Sequence, residues 1–396
     1  MRSEMEATDF QDALDDWFME SMKTYKDLHV YQLEDPTQVL EWTSGKSEFI
    51  KYRKCYTSKT SQCKFKTVCV AGFHPSKNEI LQLHLPRKLL ADENKGLCAE
   101  RDFKVVHGGF TDGPVRCLTH VPGTRCIVTN DGLTSDLQVW SVGGDDSDAI
   151  KLTGRVKGRS NRRRRSLPGA VCRVAATRSS QVLHGAASGD VRLTELTSGQ
   201  VLYTLETDSD EPLSSLRFVG DAVFLAGCSN GNVYVADTRT PAPPRLHPPP
   251  TSPGDPALWQ TEASPGGAVV RLSACGRAVM SDTRSPGGAA GRARLEVPPG
   301  GRGQEGGVSW APALDSCIAV SGFGAAVRIY DTSAWPTEPR DVPPLFEHRG
   351  HAVSSQPAAA AVLVTAHVWH PERPRTLLSA ASDGSVHLWD WIDGSQ

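Results

Sequence analysis

The segment TLLSAASDGSVHLWD, Thr376 to Asp390, decides the fold of this 396-residue chain. It contains two short apolar runs on either side of Ser-Asp-Gly, Ser382 to Gly384. Aspartate and glycine at the centre of such a pair tolerate the backbone conformations of a tight turn, so the pattern predicts a β-hairpin.

The second strand of this predicted hairpin belongs to a set of seven similar stretches along the chain. Each has alternating apolar residues, and most end on an acid: EILQLHL (Glu79 to Leu85), LQVWS (Leu137 to Ser141), VRLTE (Val191 to Glu195), NVYVAD (Asn232 to Asp237), RAVMSD (Arg277 to Asp282), AVRIYD (Ala326 to Asp331) and SVHLWD (Ser385 to Asp390). The spacing is slightly longer than that of a four-stranded propeller blade. Further strand-like runs flank each motif, so the chain is predicted to be all-β, a seven-bladed WD40-type β-propeller with long inter-blade loops rich in glycine and proline.

The last repeat contains four residues that a blade could join by hydrogen bonds. His351, Ser379, Asp383 and Trp389 stand at the positions where the WD repeat family, which this repeat resembles, carries its structural tetrad. A buried indole N–H needs a partner, which a hydroxyl can supply, and we expect the aspartate to fix the histidine tautomer.

The chain ends soon after this motif, so the last blade lacks its outer strand. HVYQL, His29 to Leu33, is predicted to supply it and to close the ring. The predicted domains are therefore an N-terminal extension over residues 1–28 and a propeller over residues 29–393.

The extension is predicted to contain an amphipathic helix from Asp12 to Leu28. Its apolar stripe either packs on the propeller rim or docks a partner protein. The docking candidates are Trp17, Phe18, Met22 and Tyr25.

Three segments read as flexible insertions, residues 51–69, 155–169 and 240–257. The first contains most of a candidate zinc set, Cys55, Cys63, Cys69 and His74. Thiolates and an imidazole at short spacing can bind zinc. The second contains the run Arg162–Arg165. The alternative to a protein-binding role is RNA binding, in which the Cys55–His74 segment and this arginine run would contact the RNA.

Composition excludes other classes. The net charge of −2 argues against a globally basic nucleic-acid binder, and no apolar run is long enough for a membrane span. Ten cysteines without a secretory signal indicate reduced thiols inside the cell. No motif places a nucleophile beside a base, so we expect no catalytic residues, no cofactor and no enzyme activity.

Five longer stretches resemble one family more specifically: NEILQLHLP, ENKGLCAERDFKVVHGGF, AVSGFGAAVRIYDTSAW, EHRGH and HVWHPERPRTLLSA, together with DDWFMESMKTYKDL near the N-terminus. They are similar to the WD repeat-containing protein 73 family of vertebrates. The resemblance implies a cytoplasmic, non-enzymatic scaffold for assembly of the RNA endonuclease module of the Integrator complex. Its partners there would be a pair of metallo-β-lactamase-type subunits. It also implies an alternative, a microtubule-associated factor at spindle poles that contacts tubulin.

Overall fold

The computed structural model describes residues 15–43, 67–72, 78–86, 102–144, 147–158, 171–177, 179–249, 258–264, 266–297, 307–354 and 361–392. Within these residues strands dominate, and the α-helices are α1, residues 15–24, and the short α2, Gly350–Ser354. A 3-10 turn spans Ser188–Asp190. In the described part of the chain neither helix has the length and apolar character needed to cross a bilayer.

The strands are numbered in chain order. The first nine are β1 Tyr25–Gln32, β2 Thr37–Thr43, β3 Thr67–Gly72, β4 Asn78–His84, β5 Lys104–Thr111, β6 Cys117–His120, β7 Cys126–Asn130, β8 Leu137–Gly144 and β9 Ser147–Val156. The next twelve are β10 Arg173–Ala176, β11 Gln181–Gly185, β12 Arg192–Glu195, β13 Val201–Thr204, β14 Leu213–Phe218, β15 Val223–Cys228, β16 Val233–Asp237, β17 Arg245–His247, β18 Trp259–Ala263, β19 Ala268–Ser273, β20 Arg277–Asp282 and β21 Gly291–Leu295. The last eight are β22 Gly307–Trp310, β23 Cys317–Ser321, β24 Val327–Asp331, β25 Arg340–Val342, β26 Phe346–His348, β27 Val364–Trp369, β28 Thr376–Ala381 and β29 Ser385–Trp391.

The sheets are built from antiparallel runs of four strands. Four sheets are single runs, ordered β1-β29-β28-β27, β10-β11-β12-β13, β14-β15-β16-β17 and β22-β23-β24-β26. An eight-stranded sheet joins the runs β2 to β5 and β6 to β9 through one parallel pair, Gly108 with Ala149. In the remaining sheet, β25 adds in parallel to the outer strand of the run β18 to β21.

Neighbouring runs contact one another through one edge strand of each run. β2 contacts β6, β6 contacts β10, and the same relation continues through β14, β18, β22 and β27, which contacts β2 again. The apolar cores lie between adjacent runs, as where Leu40 and Val70 pack with Leu378 and Val386. This arrangement is consistent with a β-propeller, in which each sheet buries both faces against its neighbours.

The seven sequence motifs predict strand positions correctly. They fall on β4, β8, β12, β16, β20, β24 and β29. The first six are each the third strand of a run in chain order, and β29 is the third strand of its sheet counted from β27. The prediction that a strand near the N-terminus completes the last run is also confirmed, because β1 pairs antiparallel with β29 and Leu28 lies opposite Trp389.

The Ser-Asp-Gly turn before β29 is locked against the end of β1. Gly384 has a φ of +84°, and a Cβ atom there would lie 2.6 Å from the Leu33 carbonyl oxygen. Glycine is therefore required at this position both for the backbone conformation and for the close approach of the two segments. The Leu33 N–H donates to the Gly384 carbonyl at 3.0 Å, and Gln32 Nε2 donates to the Asp383 carbonyl at 2.7 Å.

The structure corrects the predicted end of the N-terminal helix. Residues 15–24 are helical, whereas Tyr25 to Leu28 belong to β1, so the predicted domain boundary after residue 28 falls inside a strand. The Tyr25 side chain is buried in the core beside β29, and the main chain of β1 pairs with that strand from Tyr25 onward. These contacts stabilise the extended conformation more than a further helical turn would.

Parts of the three predicted flexible insertions lie in strands. Thr67 to Cys69 lie in β3, Arg155 and Val156 in β9, and Arg245–His247 form β17 inside the proline-rich segment. Pairing with the adjacent strand of the same run orders each of these stretches. Residues 51–66, 159–169 and 250–257 lie outside the described residues.

Candidate functional site

The four predicted tetrad residues lie together at the sheet that joins the two ends of the chain. Ser379 is on β28 and Trp389 on β29, while α2 carries His351. Trp389 Nε1 donates to Ser379 Oγ at 3.1 Å, and Ser379 Oγ lies 2.8 Å from His351 Nε2. The Ser379 hydroxyl donates its proton to His351 Nε2, because the ring proton of the neutral His351 lies on Nδ1, where it faces Ser385.

Asp383 acts on the histidine through a residue that sequence reasoning missed. Ser385 Oγ donates to Asp383 Oδ1 at 2.6 Å and lies 2.7 Å from His351 Nδ1. A carboxylate only accepts, so the serine must receive a proton from Nδ1–H. The expectation that the aspartate fixes the histidine tautomer is thereby modified, since Ser385 stands between them. The Asp383-x-Ser385 spacing, typical of an Asx turn, was a signal for it.

His348 and His387 lie next to His351 in the core. We call these three buried residues, His348, His351 and His387, the histidine cluster. His348 Nε2 lies 3.0 Å from His387 Nδ1, and the rings of His351 and His387 stack with centroids 3.9 Å apart. Burial lowers the pKa of His351 to about 3 and holds the pKa values of His348 and His387 well below the ordinary value of 6.5. The three imidazoles are therefore neutral at physiological pH.

Gly350 permits this close approach. A Cβ atom at Gly350 would lie 2.7 Å from His348 Cε1 and 2.9 Å from His387 Nδ1. Any side chain at this position would push the two rings apart.

The cluster connects to the N-terminal strand through Tyr25. The Tyr25 hydroxyl lies 2.8 Å from His348 Nδ1, and its ring makes edge contacts with Phe346, His348 and Trp389. Burial, as the largest cause, raises the pKa of this phenol, so it stays protonated. Tyr25 was predicted as a docking residue, and its burial shows that it belongs to the core instead.

The same three histidines are close enough to be considered as metal ligands. One ring nitrogen from each lies within 4.8 Å of the others. However, both nitrogens of His351 and both of His348 already have hydrogen-bond partners, and the stacked rings of His351 and His387 do not converge on one point. Zinc ligands converge tetrahedrally on the ion, so this geometry fits a structural network better than a metal site.

The predicted zinc set has one member in the described residues. Cys69 is fully buried in β3, and burial raises the pKa of its thiol, which disfavours the thiolate that zinc requires. Cys55, Cys63 and His74 lie outside the described residues, as do Arg162–Arg165.

One pair of side chains has the spacing of a nucleophile and a base, contrary to the sequence analysis. Ser309 Oγ lies 2.7 Å from His367 Nε2, and Ser321 Oγ lies 2.7 Å from His367 Nδ1. Burial lowers the pKa of His367 to about 4, which makes it a weak base at neutral pH, and a hydroxyl rather than a carboxylate contacts its second nitrogen. This arrangement lacks the group that would stabilise an imidazolium, so we assign it no catalytic role.

The remaining docking candidates divide between the two sides of α1. Phe18 and Met22, together with Met19, expose 58%, 58% and 55% of their surfaces, whereas Trp17 is half-buried. Ser21 is buried on the side of α1 that faces the sheet. The structure therefore leaves Phe18 and Met22 available to a partner, and Met19 is a third exposed apolar residue that the sequence stripe did not include.

These features define the class of protein. It is an all-β protein of four-stranded antiparallel runs, consistent with a β-propeller, and it carries the hydrogen-bonded chain of a WD repeat in the sheet that joins its ends.

Comparison with known proteins defines the family. A Danio rerio protein named Integrator complex assembly factor WDR73 is 43% identical over 393 residues, which cover 96% of this chain and 97% of that protein. Proteins of the same name from Homo sapiens and Xenopus laevis are 38% and 36% identical over 395 and 401 residues, covering 96% and 95% of this chain and 98% and 97% of those proteins. No family model matches the chain. The chain belongs to the vertebrate WDR73 family.

Proposed function

We propose that this chain is a non-enzymatic assembly factor that binds protein subunits of the Integrator complex. The observation that carries the proposal is the full-length identity to relatives whose name states that role. The architecture supports it, because sheets packed face to face give a rigid body whose loops and N-terminal helix can hold partners without chemistry of their own.

The chain binds the pair of metallo-β-lactamase-type subunits that form the RNA endonuclease module, and it does so in the cytoplasm before the module enters the nucleus. The body that binds them is a seven-bladed ring. The cyclic contacts of β2, β6, β10, β14, β18, β22 and β27 support that number of blades.

The test is co-purification of the full-length chain with the two endonuclease subunits expressed together. We expect a stable complex that survives moderate salt and contains this chain as a stoichiometric component. Recovery of the subunits without this chain, at low as well as moderate salt, would refute the proposal. Cell fractionation with the same tagged chain tests the cytoplasmic location.

The two other hypotheses gain no support from the relatives. Their shared name refers to assembly of the Integrator complex and to neither microtubules nor RNA. Within the segments proposed to contact RNA, Thr67–Gly72 form the largely buried strand β3, and the other residues lie outside the described part of the chain.

A further inference from the structure

The described part of helix α1 presents an apolar face that no part of the described chain covers. Phe18 and Met22 are one helical turn apart, and Met19 lies beside them. All three expose more than half of their surface. Large apolar side chains grouped in this way on a short helix are typical of interaction sites rather than of scattered surface residues.

The helix is held in place by its C-terminal end. The Ile392 N–H donates to the Thr24 carbonyl at 2.8 Å, and the next residue, Tyr25, is buried against the histidine cluster. Ser21 Oγ donates to the Phe18 carbonyl at 2.7 Å within the helix. The apolar face therefore has a fixed orientation relative to the last sheet, which reduces the entropy lost when a partner binds.

The charge around this face selects the chemistry of the partner. The exposed residues of α1 include three carboxylates, Asp15, Asp16 and Glu20, against one lysine, Lys23. In the sequence, residues 1–24 contain seven acids and two bases, a formal charge of −5, whereas the whole chain has −2 and the rest therefore has +3. Nucleic acids and anionic membranes would be repelled by this segment.

We propose that α1 docks, through Phe18, Met19 and Met22, into an apolar groove of a protein partner whose rim carries lysine and arginine. This inference rests on the proposed function, because it assigns the contact with the Integrator subunits to one element. Helix-in-groove recognition uses anchors at i and i+4 of this kind. Methionine side chains adapt to the shape of such a groove.

The test compares full-length chains that differ only in exposed apolar residues. One variant carries Phe18→Ser, Met19→Ser and Met22→Ser. The matched control carries Val201→Ser and Leu202→Ser on β13, where the two side chains are 41% and 43% exposed. Each chain is used to co-purify the Integrator endonuclease subunits, which are quantified by immunoblotting, and thermal unfolding shows that each variant is folded.

We expect the helix variant to recover the subunits at least tenfold less efficiently than wild type, and the control to remain within about twofold, as hot-spot energetics predict. A third variant, Asp15→Lys, Asp16→Lys and Glu20→Lys, should also lose recovery because its charge matches the basic rim. Equal recovery by the helix variant overturns the inference and leaves the proposed function standing. If wild type recovers no subunits, both fail.

Two measurements on the purified chain test other occupants of the face. Sedimentation should give a monomer. A dimer that the helix variant dissolves would mean that a second copy covers the face, and would overturn the inference. Vesicles containing phosphatidylserine should not bind the chain, and binding that depends on Phe18 and Met22 would also overturn it.

Discussion

Tyr25 is the residue whose removal should weaken the junction of the two chain ends most. Its ring is buried among Phe346, His348 and Trp389, and its hydroxyl bonds His348 Nδ1 at 2.8 Å. Truncation of a buried aromatic ring to alanine typically costs about 3–5 kcal/mol. Loss of the hydroxyl alone leaves a buried imidazole nitrogen unpaired and should cost about 1–2 kcal/mol.

The assay is urea denaturation of Tyr25→Ala and Tyr25→Phe, with amide hydrogen exchange of β29 as a local probe. Tyr31→Phe is the matched control, because Tyr31 lies on the same strand, is only partly buried, and its ring rests against Phe103. We expect the control to stay within about 0.5 kcal/mol of wild type, as ordinary surface substitutions do. If Tyr25→Phe behaves like the control and Tyr25→Ala costs less than about 1 kcal/mol, the role given to this residue is wrong.

Three further predictions concern buried polar groups. Burial keeps the three histidines of the cluster neutral in the folded chain, whereas in the unfolded chain they titrate near pH 6.5, so the unfolded state binds more protons in acid. The cluster alone should therefore lower the free energy of unfolding by about 4 kcal/mol between pH 7.5 and 5.5, and a urea midpoint that does not fall would contradict this. Ser379→Ala removes the hydrogen-bond partner of both Trp389 Nε1 and His351 Nε2, and it should lower the free energy of unfolding in urea by about 2–4 kcal/mol. Thr129→Val removes only the partner of the Trp140 indole and should cost less; equal costs would show that Ser379 does not join the two side chains. Arg271 is fully buried, and burial lowers its pKa to about 10. Among described residues its guanidinium donates only to two main-chain carbonyls, each at 3.3 Å. Arg271→Met should therefore raise the midpoint of thermal unfolding, and a lower midpoint would show that these hydrogen bonds outweigh the cost of burying the charge.

The sheet architecture was readable from the sequence because each run repeats the same local pattern. The hairpin from Thr376 to Asp390 combines a turn at Ser382 to Gly384, where glycine permits a positive φ, with alternating apolar residues. The other six motifs can be aligned with its second strand although each carries only part of that pattern. The closing strand could be predicted for a different reason. The last run has only three strands that are consecutive in sequence, β27 to β29, and an unpaired edge of β29 would be costly.

The position at which α1 ends and β1 begins could not be predicted from the sequence. In β1 the buried side chains include Asp27 and His29, whose Oδ1 and Nε2 atoms lie 3.0 Å apart, while Val30 is exposed. A strand that buries polar residues and exposes an apolar one defeats the alternation rule, and Tyr25 and Leu28 also fit a helical stripe. Only the pairing with β29 determines that Tyr25 to Leu28 are extended rather than helical.

The histidine cluster was equally hidden. His351 stands at a position of the family tetrad, whereas His348 and His387 do not. A histidine outside such a motif gives no sign of whether it lies on the surface or in the core. Their roles depend on three-dimensional proximity that Gly350 makes possible. The pair Ser309 and His367 was missed for the same reason, because 58 positions separate them in sequence.

The central claim is that β1 closes the body of the protein while α1 in front of it serves a partner. Two truncations measured by thermal unfolding test it most directly. A chain lacking residues 2–24 keeps β1 and should melt within about 2 °C of wild type, the shift expected for less than 1 kcal/mol in a large domain. A chain lacking residues 2–33 exposes the edge of β29 and should melt more than about 10 °C lower or aggregate. Identical melting of both truncations and wild type would contradict the account.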